Sequence, residues 1–177
     1  MEESVNYAEY TVEKKPEGKL LRTRILLIAL YLAFGLGLTC YFLFALKIWV
    51  VGTIMPFLTW LLWGLTWKFA QLEHKYEVKN AKFVVSNIYG RKKQEVQLEN
   101  LASEFKIFAP MTEDNKKQYA NADKIMDFRG NSQSPDSYYA ILEKDGKSTA
   151  IYFEATNKML KVLKFYNRNT EVTTVRY

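Results

Sequence analysis

Residues 25–46, ILLIALYLAFGLGLTCYFLFAL, and residues 48–67, IWVVGTIMPFLTWLLWGLTW, are two uncharged apolar runs separated by the single Lys47. A helix rises about 1.5 Å per residue, so a hydrocarbon layer about 30 Å thick takes about 20 of them. The runs supply 22 and 20 residues. Each is long enough to cross a bilayer, and together they read as a transmembrane helical hairpin over residues 25–69, with helices 25–46 and 48–69.

The mean hydropathy of -0.21 hides this pattern because it averages the hairpin with a charged remainder. Within residues 25–69 the charges are Lys47 and Lys68 only. A signal peptide fits poorly. The apolar stretch begins at Ile25, outruns a signal core, and leads into a second span instead of a small-residue cleavage site. The lone Cys40 lies inside the first run, so it forms no intramolecular disulfide and reports no redox compartment.

Basic residues flank the hairpin on both outer sides: Lys14, Lys15, Lys19, Arg22 and Arg24 before it, Lys68, Lys75, Lys79 and Lys82 after it. The turn holds only Lys47. The positive-inside bias predicts a multi-pass protein of the cell membrane with both termini cytoplasmic. Ionisable groups at membrane depth mark ion and proton pathways. Between Ile25 and Trp67 the chain holds only Lys47 and Cys40, which predicts an anchor and not a transporter.

On a four-residue spacing the first run carries Ala29, Ala33, Gly37 and Ala45, interrupted only by Tyr41, and the second carries Gly52, Pro56, Trp60 and Gly64. Such stripes let helix backbones approach closely in lipid, so Ala29, Ala33, Gly37, Gly52, Pro56 and Gly64 are the expected packing positions of the hairpin. Pro56 removes one ladder bond and is a candidate kink.

Residues 1–24 balance five acids against five bases around Pro16 and Gly18 and read as a polar tail, with a short strand or helix near Tyr7–Val12 as the alternative. After the hairpin the periodicity changes to two. Leu72, His74, Tyr76 and Val78 alternate with Glu73, Lys75, Glu77 and Lys79, as in a half-buried strand. Further strands are expected at 82–89, 91–99, 104–109, 124–129, 137–143 and 148–154, with a helical turn or two ending at Tyr119. Asp145-Gly146 marks a tight hairpin. A final helix is expected after Thr156 or Asn157, with Met159, Val162, Leu163 and Tyr166 on one face and Lys161, Lys164 and Arg168 on the other.

Tyr76-Glu77-Val78, a turn, Phe83, Ile88-Tyr89-Gly90-Arg91-Lys92-Lys93 and Val96-Gln97-Leu98-Glu99-Asn100-Leu101 resemble the opening of bacterial PH-like domains that sit behind a membrane hairpin. Ile151-Tyr152-Phe153-Glu154-Ala155-Thr156, running into Met159-Leu160, is similar to the last strand and closing helix of small two-span proteins, mostly of Gram-positive anaerobes, whose function is not established. The resemblance implies an α+β fold. A two-helix transmembrane hairpin precedes a bent antiparallel β-barrel of about seven strands, capped by a C-terminal helix over residues 71–170, with 171–177 as a tail. Eukaryotic PH domains often bind phosphoinositide head groups, and bacterial ones generally lack that ligand.

The chemistry-bearing residues are sparse. One histidine, His74, and one cysteine inside a span supply neither a metal ligand set nor a nucleophilic triad, so no catalytic, metal or cofactor site is expected. Gly35-x-Gly37 lies inside a membrane run without the strand and helix of a nucleotide fingerprint. A net charge of +6 raises nucleic acid as a partner, but acids and bases interleave along the strands, and membrane anchorage accounts for the excess. The expected role is a non-enzymatic binding or scaffold module. A protein partner or a second copy would engage its sheet edge or the groove beside the final helix. The competing reading is recognition of anionic lipid by Arg91, Lys92 and Lys93, each gaining about 1 kcal/mol near a negative leaflet.

Overall fold

The computed structural model describes residues 6–90 and 93–175. The chain forms two compact units, residues 15–72 with 89–92, and residues 1–14, 73–88 and 93–177.

The first unit is the helical hairpin. Helix α1 runs Gly18–Ala45 and α2 runs Trp49–Thr66, both long and apolar enough to cross a membrane. Lys47 turns the chain between them at φ 54. The helices meet along a regular antiparallel register. Arg24 Nε donates to the Ala70 carbonyl at 2.9 Å, and the Tyr31 and Thr66 hydroxyls share a hydrogen bond of 2.6 Å. A Cβ on Gly35 would lie 3.1 Å from Thr59 Cγ2, and one on Gly52 would lie 2.5 Å from Leu43 Cγ.

This register differs from the expected stripes. Gly52 is buried, but Ala29, Ala33, Gly37, Pro56 and Gly64 are exposed, and a Cβ on Gly37 or Gly64 would meet nothing. The contact stripe is instead Tyr31, Gly35, Thr39 and Leu43 against Gly52, Met55, Thr59, Leu62 and Thr66. Two π-helical turns, Ala33–Gly37 and Tyr41–Ala45, each widen α1. The hydroxyls of Thr39, Thr59 and Thr66 bond back to carbonyls four residues earlier, so these polar groups are satisfied inside an apolar setting.

Among the described residues the second unit holds eight strands in two four-stranded sheets. Strand β1 is Tyr7–Glu13, and after the hairpin come β2 (Leu72–Lys79), β3 (Lys82–Tyr89), β4 (Lys93–Leu101) and β5 (Phe105–Pro110). Then follow a short helix α3 (Lys116–Ala120), β6 (Lys124–Asp127), β7 (Ser137–Lys144), β8 (Lys147–Glu154) and the closing helix α4 (Asn157–Tyr166). The sheet orders are β1-β2-β3-β4 and β5-β7-β8-β6.

Three features depart from the sequence reading. First, residues 7–13 are not tail: β1 pairs antiparallel with β2 from Tyr7↔Lys79 to Glu13↔Glu73, and Ala8 is buried in the core. The hairpin is therefore inserted between two paired strands of the domain. Second, eight strands form two sheets where about seven were expected in one barrel, and β6 pairs parallel to β8, so the fold is not wholly antiparallel. Third, a register shift between Phe105 and Ile107 lets β5 serve both faces of its sheet. Phe105 and Phe108 enter the main core, while Ile107 packs on the outer side.

The main core takes Tyr76, Val78, Phe83 and Val85 from one sheet, Phe108, Tyr138, Ile151 and Phe153 from the other, and Met159, Leu160, Val162 and Leu163 from α4. Phe83 sits at its centre, with ring centroids 5.9, 5.7 and 5.2 Å from Phe105, Phe108 and Phe153. Edge-to-face and tilted contacts of this kind add about 0.5–1.5 kcal/mol each beyond area burial. Helix α4 forms as its sequence dictates: Thr156 caps it by accepting from Met159 N at 3.2 Å, and its apolar stripe is the buried one.

The chain after α4 is docked along much of its length. Asn167 donates to the Ala102 and Phe105 carbonyls at 2.8 and 2.6 Å. Thr170 bridges Phe108 in parallel, and Val175 is buried while exchanging bonds with Asn157. The expected tail from residue 171 is thus a strap through Val175.

Candidate functional site

The outer face of the second sheet carries its own small cluster of Ala109, Tyr139, Ile141, Ala150 and Tyr152. The α3 segment covers one part of it. Tyr119 packs its ring 5.1 Å from Tyr139 and 5.7 Å from Tyr152, and the Tyr139 hydroxyl donates to Gln118 Oε1 at 3.0 Å. Burial pushes the Tyr139 phenol up to about 12, so it remains a neutral donor.

Beside that lid the sheet is left open as a cleft of about 790 Å³. Ile107 and Ile141 lie at its floor, Gln118 stands at one side, and the strap from Asn169 to Val172 forms the other with the end of α4. The cleft lies beside the final helix. The β5 bulge is what points Ile107 into it.

The cleft carries charges of both signs. Lys106 is matched to Glu143 at 2.8 Å on its rim. Lys164 Nζ donates to the Arg168 and Thr170 carbonyls at 2.9 and 2.7 Å, which fixes the strap to the helix end. Thr170 is fully buried and its hydroxyl has no hydrogen-bond partner among the described residues. Val172 is 48 % exposed, an apolar side chain standing at the mouth. The floor is thus apolar, a rim charge is paired, and the strap backbone is itself bonded, with Thr170 N donating to the Asn167 carbonyl at 3.1 Å and Glu171 N to the Phe108 carbonyl at 2.8 Å.

The residues named from sequence fall elsewhere. Arg91 and Lys92 lie outside the described residues, and Lys93 is ion-paired to Glu95 at 2.6 Å. Gly90, at φ +61, approaches the helical turn Trp67–Ala70 that follows α2 so closely that a Cβ would stand 2.7 Å from Lys68 Cβ. His74 is buried against Phe128, with ring centroids 5.5 Å apart, and its Nδ1 is 2.7 Å from Asn87 Oδ1. Desolvation lowers its pKa to about 4, so it is a neutral core residue.

Two polar side chains with structural duties escaped the sequence reading. Glu154 is buried and accepts from Gly130 N and Asn131 N at 2.9 and 3.1 Å, and Asn167 ties α4 to β5. The loop between β6 and β7 is further pinned by Arg129. Its guanidinium bonds both Asp127 carboxylate oxygens at 2.9 and 2.7 Å and lies 5.1 Å over the Tyr152 ring. That bonding holds the Asp127 carboxyl below its ordinary range against the opposing effect of burial.

No curated protein and no solved structure matches the chain. The family model described as bacterial PH-like domain (DUF6106) matches residues 4–172, which takes in β1, the hairpin and both sheets. The chain belongs to the bacterial PH-like domain family DUF6106.

Proposed function

We propose that the protein is a membrane-anchored, non-enzymatic PH-like module that holds a protein partner in a complex at the cell membrane, with both termini cytoplasmic. The observation that carries this reading is the cleft over Ile107 and Ile141, bounded by α3, the strap and the end of α4. The two apolar helices supply the anchor, and the basic residues on their outer flanks supply its orientation. Recognition of anionic lipid through Arg91, Lys92 and Lys93 is the weaker reading, because Lys93 already has Glu95 as its counter-charge.

The test is affinity purification of the full tagged chain from mildly solubilised membranes, beside the variant Val172→Arg. The exposed position tolerates the substitution, and the new side chain fills the cleft mouth. A protein recovered in stoichiometric amount with the native chain and depleted with the variant supports the reading. Repeated recovery of the chain alone overturns it.

A further inference from the structure

On the seam between α1 and α2 an apolar groove of about 360 Å³ lies beside Gly35, Thr39, Pro56 and Thr59. Its origin is local. Gly35 brings no side chain, the π-helical turn Ala33–Gly37 widens α1 at that level, and Pro56 borders the gap from α2. The polar side chains that line it are already bonded within the hairpin: Thr39 and Thr59 donate to the Gly35 and Met55 carbonyls, and the Tyr31 and Thr66 hydroxyls bond each other. Water needs several polar partners, which this lining does not offer, so the occupant is hydrocarbon. A cavity of about 150 Å³ holds a benzene ring. One side chain from a neighbouring helix therefore leaves most of the groove empty, whereas a lipid chain running along it fills it.

The head of the same seam is basic. Arg24, Tyr31 and Gly35 follow one face of α1, since each meets α2 or the turn after it: Arg24 at Ala70, Tyr31 at Thr66 and Gly35 at Thr59. At 1.5 Å per residue, Tyr31 lies about 10 Å and Thr39 about 22 Å along the helix from Arg24. One leaflet's hydrocarbon is about 15 Å deep, so the groove takes the far half of an acyl chain whose head group is held at Arg24. Residues 15–72 hold Lys15, Lys19, Arg22, Arg24 and Lys68 at this end against one carboxylate, Glu17. The first turn of α1 contains no acid, so the positive end of the helix dipole adds to these cations.

We infer that the α1–α2 seam binds one anionic phospholipid, with its phosphate at Arg24 and Lys68 and an acyl chain in the groove beside Gly35 and Pro56. Charge complementarity selects the head group, and the uncharged lining selects the chain. The inference rests on the membrane anchor proposed above and not on the partner at the cleft.

The experiment places a diazirine-bearing aliphatic amino acid in the full chain, reconstituted in phosphatidylcholine vesicles with a minor share of phosphatidylglycerol. It replaces either Leu36, which lines the groove, or Leu61, an exposed leucine outside it. Illumination is expected to give, at position 36, a lipid adduct in which phosphatidylglycerol exceeds its share of the vesicle at least fivefold. At position 61 the adduct should match the bulk composition. The double variant Arg24→Gln/Lys68→Gln should return position 36 to bulk composition, while Arg24→Lys keeps the enrichment. Bulk composition at position 36 of the otherwise native chain overturns the assignment, whatever the variants do. Equal enrichment at 36 and 61 overturns it too, because charge alone then draws the lipid. A cross-link from 36 to a second copy gives the groove to another helix and refutes the lipid. Enrichment that survives the double variant refutes the head-group site. Carbonate extraction of the same vesicles reads the anchor separately: a chain released by carbonate removes anchor and site together, and a retained chain without enrichment removes the site alone.

Discussion

Acidification from about pH 7 to about pH 5 perturbs one buried group above all others, His74. It is 2 % exposed, its Nε2 has no partner among the described residues, and Phe128 packs edge-on against the ring. Its pKa is about 4 in the folded chain against 6.5 for an ordinary histidine. The folded value lies below the unfolded one, so the unfolded chain binds the extra proton. The stabilising effect of the neutral ring is complete above the unfolded value and is lost as pH falls between the two. The limiting loss is about 3 kcal/mol, and roughly 2 kcal/mol is gone by about pH 5. For a domain of about 110 residues that corresponds to a melting shift of roughly 8 °C. The assay is thermal unfolding of the full chain in detergent at both pH values, beside His74→Gln, which cannot titrate. The native chain should lose about 2 kcal/mol more than the variant over that interval. Equal losses would show that the ring is hydrated or charged in the folded state and would refute the account of this core.

Three further outcomes follow from the packing. Thr156→Ala removes the cap on Met159 N and should cost about 1 kcal/mol, recovered by Thr156→Ser, as read from denaturant midpoints. Gly52→Ala forces a methyl against Leu43 and should lower hairpin stability by about 1–3 kcal/mol, whereas Gly64→Ala and Gly37→Ala should be neutral in the same detergent melt. Ala8→Glu puts a carboxylate into the core and should abolish cooperative unfolding, while the neighbouring exposed Thr11→Glu should leave it intact.

Much of the domain was legible because local rules coincide with the tertiary result. Asp145 and Gly146, at φ 53 and 74, make the tight turn their residue types predict. The Thr156 cap and the stripe of α4 follow from its sequence alone. What escaped depends on non-local pairing. Tyr7–Glu13 alternates as a strand should, but its partner lies across a hairpin of more than fifty residues, and an unpaired strand in a charged stretch resembles a tail. The β6 to β8 pairing is parallel, and strand composition does not encode direction. In the hairpin both candidate stripes are apolar, so hydrophobic contrast cannot tell the partner helix from lipid; Gly35 and Leu43 win over Ala33 and Gly37 through shape. The cleft depends on a bulge at Lys106 that turns Ile107 outward, and no residue type announces it.

The central claim is that a hairpin crossing the membrane twice splits the domain, so that β1 and the rest of its sheet lie on one side. The direct measurement is labelling of intact cells with a membrane-impermeant maleimide, using single cysteines introduced into the Cys40→Ser chain at Thr11, Lys47 and Lys144. The account predicts that Lys47→Cys is labelled from outside and that Thr11→Cys and Lys144→Cys react only after permeabilisation. Labelling of Thr11→Cys from one side and Lys144→Cys from the other would contradict it, because β1 could not then pair with β2.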